Sequence, residues 1–263
     1  MTKPASINLL PDDHAVELGT RQELIDGVVV ETMPAAPPHA QHHFQLDYVL
    51  AAHVAPGYVG ATDLLTRTSE RWNFAADAAI RKKGSDPATG ARYLEEMAFE
   101  IKYTQRTRDI TERARQLARR GVRRVFGIWV RGDRSALCMQ VGPVREWSTE
   151  HDGWVDLGLD EYIEDPCLHR PLEVCALVDS LAADNAVVRA LQARGNPLLA
   201  ELESEGYRRG VADGLRETAT ILCETLTVEL SDTRRARLAE LDEAALRSLI
   251  AHLRRQRRWP AVL

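Results

Sequence analysis

The sequence predicts a mixed α/β domain followed by a helical region. Three observations lead to this fold class: an Asp-Gly turn between two apolar β-branched runs, a helical pattern between two apolar strand patterns, and a change to helical patterns alone from about Pro171. The predicted domains are therefore 1–175, an α/β domain, and 176–263, a helical tail.

The first predicted elements are a β-hairpin and a helix. The hairpin covers Glu23–Val30, with Asp26-Gly27 as the tight turn. The Pro-rich segment 33–38 then breaks the chain. A helix follows from about His39 to Val54, because apolar residues recur every four positions there.

A run of strands surrounds the second helix. The helix Arg108–Arg120 has apolar residues at i, i+4, i+7 and i+8, and Gly121 is suited to end it. The turn before the central strand is the Gly-, Ser- and Asp-containing segment 84–90. The predicted strands are, in chain order, Tyr58–Thr68, Ala75–Arg81, Met97–Tyr103, Val122–Val130 and Ser135–Val141, the last after a turn at Gly132-Asp133.

The C-terminal region has helical patterns only. Gly195-Asn196-Pro197 interrupts one helical stretch, and Ser231 and Asp242 are suited to cap later helices. Glycines at 206, 210 and 214 recur every four residues, which would permit close helix approach. This spacing favours a homodimer contact in the tail over a loosely formed helix.

Composition excludes several classes of protein. The net charge is −5, with 44% hydrophobic and 28% charged residues, which fits a globular protein and argues against indiscriminate coating of nucleic acid. The charge is uneven, at +2 over 1–132, −10 over 133–205 and +3 over 206–263. The four cysteines lack metal-ligand spacing, and neither a signal peptide nor a membrane span is visible, so a reducing, cytoplasmic location without membrane contact is expected.

The candidate catalytic residues are Asp77, Glu100 and Lys102. The strand pattern MAFEIKY puts Glu100 and Lys102 on one face, and Asp77 lies on the preceding predicted strand. If these strands pair, the two carboxylates converge and can hold Mg²⁺ or Mn²⁺, with the carbonyl of Ile101 as a third ligand. Lys102 could then orient water or stabilise charge on a phosphate. A surface Glu–Lys pair facing water is the alternative.

The segments ELIDGVVVETMP, FAADAAI and MAFEIKYTQRTRDITERARQLARRGVRRVFGIWV resemble the Uma-type restriction-endonuclease-like family of the PD-(D/E)xK nuclease superfamily. The resemblance covers about residues 15–150. Asp77 matches the aspartate of the PD motif, Glu100 the central glutamate and Asp109 the helix aspartate. It implies a restriction-endonuclease-like mixed sheet flanked by helices, a divalent metal and a nucleic-acid substrate.

The sequence departs from the family pattern at two positions. Ala76 replaces the proline of PD, and Arg113 stands where many members have a helix lysine, while Lys102 supplies the E-x-K lysine of the superfamily. Glu23 matches the glutamate of the hairpin motif and could be a third metal-site carboxylate or, slightly favoured, a residue facing solvent. Either His39 or His43 can match the family histidine, although solvated or capping roles are favoured over metal binding.

An arginine-rich segment follows the E-x-K strand. Nine arginines against two acidic residues between 106 and 131 suit contact with a phosphate backbone, and a solvated helix face is the alternative. The candidate nucleic-acid-binding residues are Arg108, Arg113, Arg119 and Arg120. The resulting hypothesis is an Mg²⁺-dependent endonuclease acting on DNA, and the alternative is a non-catalytic nuclease-fold interaction or assembly protein.

Overall fold

The computed structural model describes residues 22–31, 35–132 and 139–260. The strands are β1 (Gln22–Ile25), β2 (Val28–Glu31), β3 (Tyr58–Ser69), β4 (Trp72–Lys82), β5 (Glu95–Lys102), β6 (Arg124–Gly132), β7 (Met139–Ser148), β8 (Gly153–Leu157), β9 (Tyr162–Ile163) and β10 (Leu172–Glu173). The helices are α1 (Pro37–His53), α2 (Thr107–Arg120), α3 (Ser180–Ala193), α4 (Pro197–Thr225), α5 (Asp232–Glu240) and α6 (Glu243–Gln256), with a 3-10 turn at Val174–Leu177. The predicted mixed sheet with flanking helices and a C-terminal helical region is confirmed.

An eight-stranded mixed sheet carries the first part of the chain. Its order is β2-β1-β4-β5-β6-β7-β8, and β3 also pairs with β4. Strands β5 and β6 are parallel and are joined by α2, whereas the other neighbours are antiparallel. A crossover helix is the usual link between parallel neighbours, as the sequence predicted.

Local sequence explains the hairpin and the first two helices. Asp26 and Gly27 both have positive φ, which a two-residue hairpin turn of this kind requires. Helix α1 begins at Pro37, two residues before the predicted start, because proline is favoured in the first turn of a helix. Helix α2 ends at Gly121, whose left-handed φ of 115° lets its N–H reach the carbonyl of Leu117.

The sheet is covered on both faces. On one face, α1 packs through Leu46 onto apolar residues of β5 and β6, including Phe99, and α3 packs on α1. On the other face, α2 packs through Ala114 and Leu117 onto apolar residues of β4 and β5. The centre of β5 is therefore enclosed from both sides, and any polar side chain there must find a partner or a ligand.

Beyond β6 the outcomes are mixed. Residues 133–138, which include Cys138, Asp133 of the predicted turn and the start of the predicted strand Ser135–Val141, lie outside the described residues. Strand β7 runs on to Ser148, and β8 and β9 were not predicted. The segment after Pro171 contains β10 and a 3-10 turn before its first α-helix, so the expectation of helix alone from Pro171 is wrong at its start.

The chain divides into two compact units between Arg194 and Gly195. This boundary lies beyond the predicted division at 175/176 because α3 packs its alanines on α1 and so belongs to the first unit. In the second unit, α4 begins after Asn196, whose side chain caps it, and packs on α6 through Cys223 and Leu246.

Two further observations concern the second unit and the cysteines. The glycines at 206, 210 and 214 lie on α4 with open space around each Cα, so the homodimer contact stays a prediction. Cys167 and Cys223 are buried free thiols and Cys175 is half-buried, as expected. Within the described residues, every helix is too short or too polar to cross a membrane.

Candidate metal centre and its surroundings

The ladder between β4 and β5 ends beside the two predicted metal-binding carboxylates. Its last pair is Ala78 with Phe99, so Asp77 and Glu100 are the next residues in register, where the pairing has stopped. The adjacent ladder of β3 and β4 pairs Thr62 with Ala78, and it omits Asp63 and Asp77. The strands open at this point and leave the two carboxylates beside the gap.

The backbone is irregular at the same level. Asp63 has a φ of 50°, a left-handed conformation that aspartate tolerates better than most residues. On β4, Ala76 packs with the α2 side of the sheet and Ala78 with the α1 side, so the usual alternation is interrupted at Asp77. Unusual backbone of this kind is concentrated at functional sites.

Asp77 is held between β5 and helix α1. One carboxylate oxygen, Oδ2, accepts a hydrogen bond of 2.5 Å from the N–H of Ile101. The other, Oδ1, lies 3.3 Å from Nε2 of His39. Nε2 of His43 lies 2.5 Å from the backbone carbonyl oxygen of Asp77. Ile101 therefore contacts Asp77 through its N–H, whereas the sequence suggested a role for its carbonyl.

His39, His43 and Asp77 form a candidate ligand set for a metal ion. One ligand atom from each lies within 4.8 Å of the other two. His39 and His43 are four residues apart on α1, so both project from the same face of the helix towards β4. Two imidazole nitrogens and a carboxylate oxygen make a mixed donor set that suits Mn²⁺ or a later transition metal better than Mg²⁺.

Electrostatics couple His39 to Asp77. Burial by itself would lower the pKa of His39, but the hydrogen bond to Asp77 and the negative charge of that carboxylate outweigh burial and raise it above the usual value. His42 lies on the same helix and is fully buried, and neither of its ring nitrogens has a partner among the described residues. Burial, helped by the positive charge of His39, lowers the pKa of His42 to about 4.

Glu100 is on the α2 side of the sheet, with an unpartnered oxygen. Its side chain is 4% exposed, and Oε2 lies 3.9 Å from Nη1 of Arg113. Oε1 is buried without a hydrogen-bond partner within the part of the chain that is described. Burial raises the pKa of Glu100 well above its usual value, although the charge of Arg113 opposes this shift.

Glu23 and Arg113 lie beside Glu100 on the α2 side of the sheet. Glu23 is buried at 8% exposure, so the slightly favoured reading of a residue facing solvent is wrong. Its Oε1 accepts from the N–H of Ala75 at 3.0 Å, and its Oε2 pairs with Arg113. Arg113 also donates to the carbonyl of Ala75 and lies 4.7 Å above the ring of Phe74. The guanidinium joins β1, β4 and α2 around two carboxylates.

The arginine-rich segment is largely occupied by ion pairs. Arg113 faces Glu23 and Glu100, and Arg108 pairs with Asp109. Three more arginines are also paired: Arg115 with Glu112 and Asp152, Arg123 with Glu96 and Asp165, and Arg124 with Glu146 and Asp165. Of the four predicted phosphate contacts, Arg119 and Arg120 are in the last turn of α2 without an ion pair to any described residue.

Lys102 is half-buried at the end of β5 and lines a polar cavity with residues of β6 and β7. It is two residues beyond Glu100, and the strand alternation puts both side chains on the α2 face, as predicted. The residues that sequence reasoning missed as partners are His39 and His43. The signal was present in their spacing of four on a helix, but nothing in the sequence placed that helix against Asp77.

Comparison with known proteins identifies a structural similarity and no family. Among solved structures, the chain is similar to a crystal structure from Anabaena variabilis described as a "putative nuclease belonging to DUF820". The match has 12% sequence identity, covers 59% of this chain and 88% of that one, and has a TM-score of 0.44. No protein-family model matches the sequence, and no curated protein matches it. Functional roles therefore depend on the side chains of this chain.

Proposed function

We propose that the protein is a metal-dependent nuclease that hydrolyses phosphodiester bonds in DNA, and that it belongs to the Uma-type family that its motifs resemble. The observation that carries this proposal is the cluster at the opening between β4 and β5. There Asp77 lies within ligand distance of His39 and His43, and the unpartnered Oε1 of Glu100 lies on the neighbouring strand position.

These residues fit a divalent cation. A buried carboxylate oxygen without a partner is costly unless a ligand satisfies it, and Glu100 has one. Asp77, His39 and His43 supply three donor atoms that lie close together, and the unpartnered Oε1 of Glu100, outside this cluster, is the candidate fourth donor. A cation bound there would polarise the scissile phosphate and make a bound water more acidic. The histidines favour Mn²⁺ over the Mg²⁺ that the sequence alone suggested.

The chain's own residues then have separate roles. The N–H of Ile101 fixes the orientation of Asp77, and Arg113 holds Glu100 and Glu23 in place without reaching substrate. Lys102 lies one strand repeat beyond Glu100 on the same face, where its ammonium can stabilise negative charge on the phosphate. Among the predicted phosphate contacts, Arg119 and Arg120 have free charge, whereas Arg113 is committed to carboxylates.

The test combines metal binding with cleavage. We expect calorimetry to show Mn²⁺ binding tighter than Mg²⁺ binding, and plasmid or oligonucleotide cleavage to depend on the added metal. Asp77→Asn and Glu100→Gln should abolish cleavage and weaken metal binding by at least about tenfold each, the loss expected for a missing ligand. The matched control is Glu70→Gln, an exposed residue in the turn between β3 and β4. A folded protein without metal-dependent cleavage would refute the proposal.

The alternative is a non-catalytic interaction or assembly protein with a nuclease fold. One observation favours it: Arg113 already balances the charge of Glu23 and Glu100, as a structural ion pair would. This alternative predicts a stable oligomer, measured by light scattering, whose melting temperature does not change with Mn²⁺. A rise in melting temperature with Mn²⁺ that is lost in Asp77→Asn would exclude it.

A further inference from the structure

A polar cavity with cationic side chains in its lining lies beside the proposed metal centre. Its volume is about 460 Å³, and it is lined by the ends of β5 and β6, by β7 and by the start of α2. Three lining residues are cations, namely Lys102, Arg131 and Arg145, and Thr104 and Thr107 add hydroxyl groups. None of the lining residues is acidic. A concave site with this composition is suited to an anion.

Two of the three cations have no carboxylate partner in the part of the chain that the structure describes. No Asp or Glu oxygen of the described residues lies within ion-pair distance of Lys102 or Arg131. Arg145 lies 4.4 Å above the ring of Trp129, and its Nε is 2.5 Å from Oδ1 of Asp156, an exposed residue outside the cavity lining. This differs from the arginines on and around α2, most of which are neutralised.

The position of the cavity relates it to the proposed reaction. Lys102 lines the cavity and follows Glu100 by two residues on the same strand, a distance of about 7 Å. That distance is roughly the rise of two nucleotides along a nucleic-acid strand. A nucleic-acid strand with one phosphate at the opening between β4 and β5 would therefore bring a phosphate about two nucleotides away to the cavity.

We propose that this cavity is a phosphate-binding subsite for the nucleic-acid substrate, formed by Lys102, Arg131 and Arg145. The inference rests on the proposed function, because it places in this cavity the part of the nucleic-acid strand that lies next to the scissile bond. The first residue of α2, Thr107, also lines it, so the positive end of that helix adds to the field of the three cations.

The test is equilibrium binding in EDTA, which separates it from cleavage. Fluorescence anisotropy is measured with a labelled single-stranded oligonucleotide in three forms: with a 5′-phosphate, with a 3′-phosphate and with neither. Arg131→Gln should weaken binding about tenfold, the loss of one charge-assisted phosphate contact. The matched control is Lys83→Gln, which removes one positive charge from an exposed side chain just beyond β4, where β4 pairs with the start of β5, and should change binding less than twofold.

A second variant predicts a change of the opposite sign. Asp156→Asn releases Arg145 from its ion pair, so binding should tighten about two- to fivefold, the range expected for an exposed pair. A residue that only supported local structure would not improve binding when replaced. Both substituted side chains are exposed, so the variants should fold, and circular dichroism checks this.

The forms of the oligonucleotide distinguish the source of the phosphate. A loss in Arg131→Gln confined to one terminally phosphorylated form assigns the cavity to a strand end, and an equal loss in all three forms assigns it to an internal phosphodiester. Equal effects of Arg131→Gln and Lys83→Gln, or no tightening in Asp156→Asn, would overturn the inference. Binding that follows these predictions in a protein without cleavage activity would refute the proposed function and leave the subsite standing.

Discussion

The two carboxylates at the end of the β4–β5 ladder have their charges balanced in different ways. On the α2 side, Glu100 and Glu23 share one permanent cation, the guanidinium of Arg113. On the α1 side, Asp77 lies against His39 and His43, whose charge depends on protonation. One side is a fixed ion pair, and the other holds the imidazoles and the carboxylate of the proposed metal site.

This difference indicates where an ion would be held. A metal on the α1 side would be bound by neutral imidazoles, so its binding there displaces protons and does not compete with a permanent cation. A metal that relied on Glu100 and Glu23 alone would have to compete with Arg113, which cannot lose its charge. In the proposed site, the histidine side would therefore supply most of the metal ligands, and the arginine side would position one further oxygen.

The largest expected effect comes from removing the guanidinium of Arg113 on the α2 side. Arg113→Ala leaves Glu23 and Glu100 buried without a cation, so we expect a loss of about 3–5 kcal/mol in the free energy of unfolding. Urea denaturation followed by circular dichroism measures it. Arg113→Lys keeps the charge but not the forked hydrogen bonds to Glu23 and Ala75, so it should recover only part of the loss.

One result would contradict the prediction for Arg113→Ala. If Arg113→Ala is as stable as Arg119→Ala, whose side chain is exposed and makes no ion pair with a described residue, then Arg113 is not the cation that balances these carboxylates. The interpretation of the α2 side as a fixed ion pair would then be wrong.

The next effect tests the histidine side through pH. The pKa of the buried His42 is about 4, below the ordinary value of 6.5, so its neutral form stabilises the fold above pH 6.5 and this contribution is lost as the pH falls towards 4. The expected loss is about 3 kcal/mol, because the pKa is about 4 in the folded protein and 6.5 in the unfolded chain. Unfolding free energies from pH 7 to 3.5 measure it.

A variant isolates the contribution of His42. His42→Leu removes the titrating group, so the fall in stability between pH 6.5 and 4 should become shallower by about that amount. His151→Gln changes an exposed histidine and should leave the slope as it is. An unchanged slope in His42→Leu would show that His42 is not held neutral by burial.

The sequence predicted the elements well and their partnerships less well. The Asp26-Gly27 turn, the Gly121 helix end and the strand with Glu100 and Lys102 are local features, and local chemistry determines them. The neighbours of Asp77 depend on how α1 lies on the sheet, which no local pattern contains. For the same reason a run of nine arginines resembled a phosphate-binding face, although four of them pair with acidic residues far along the chain.

The smallest expected effect concerns the link between His39 and Asp77. Burial lowers the pKa of His39, and Asp77 more than compensates, so the pKa lies above the ordinary value. In Asp77→Asn the effect of burial is opposed only by weaker charges, and we expect the pKa of His39 to fall below 6.5.

Nuclear magnetic resonance titration of the imidazole protons in EDTA measures the pKa of His39. Glu100→Gln is the matched control, because Glu100 lies on the other side of the sheet and is not among the charges that shift His39. Equal changes in both variants would mean that the two sides form one continuous charge network, with Arg113 and the histidines balancing all the carboxylates together.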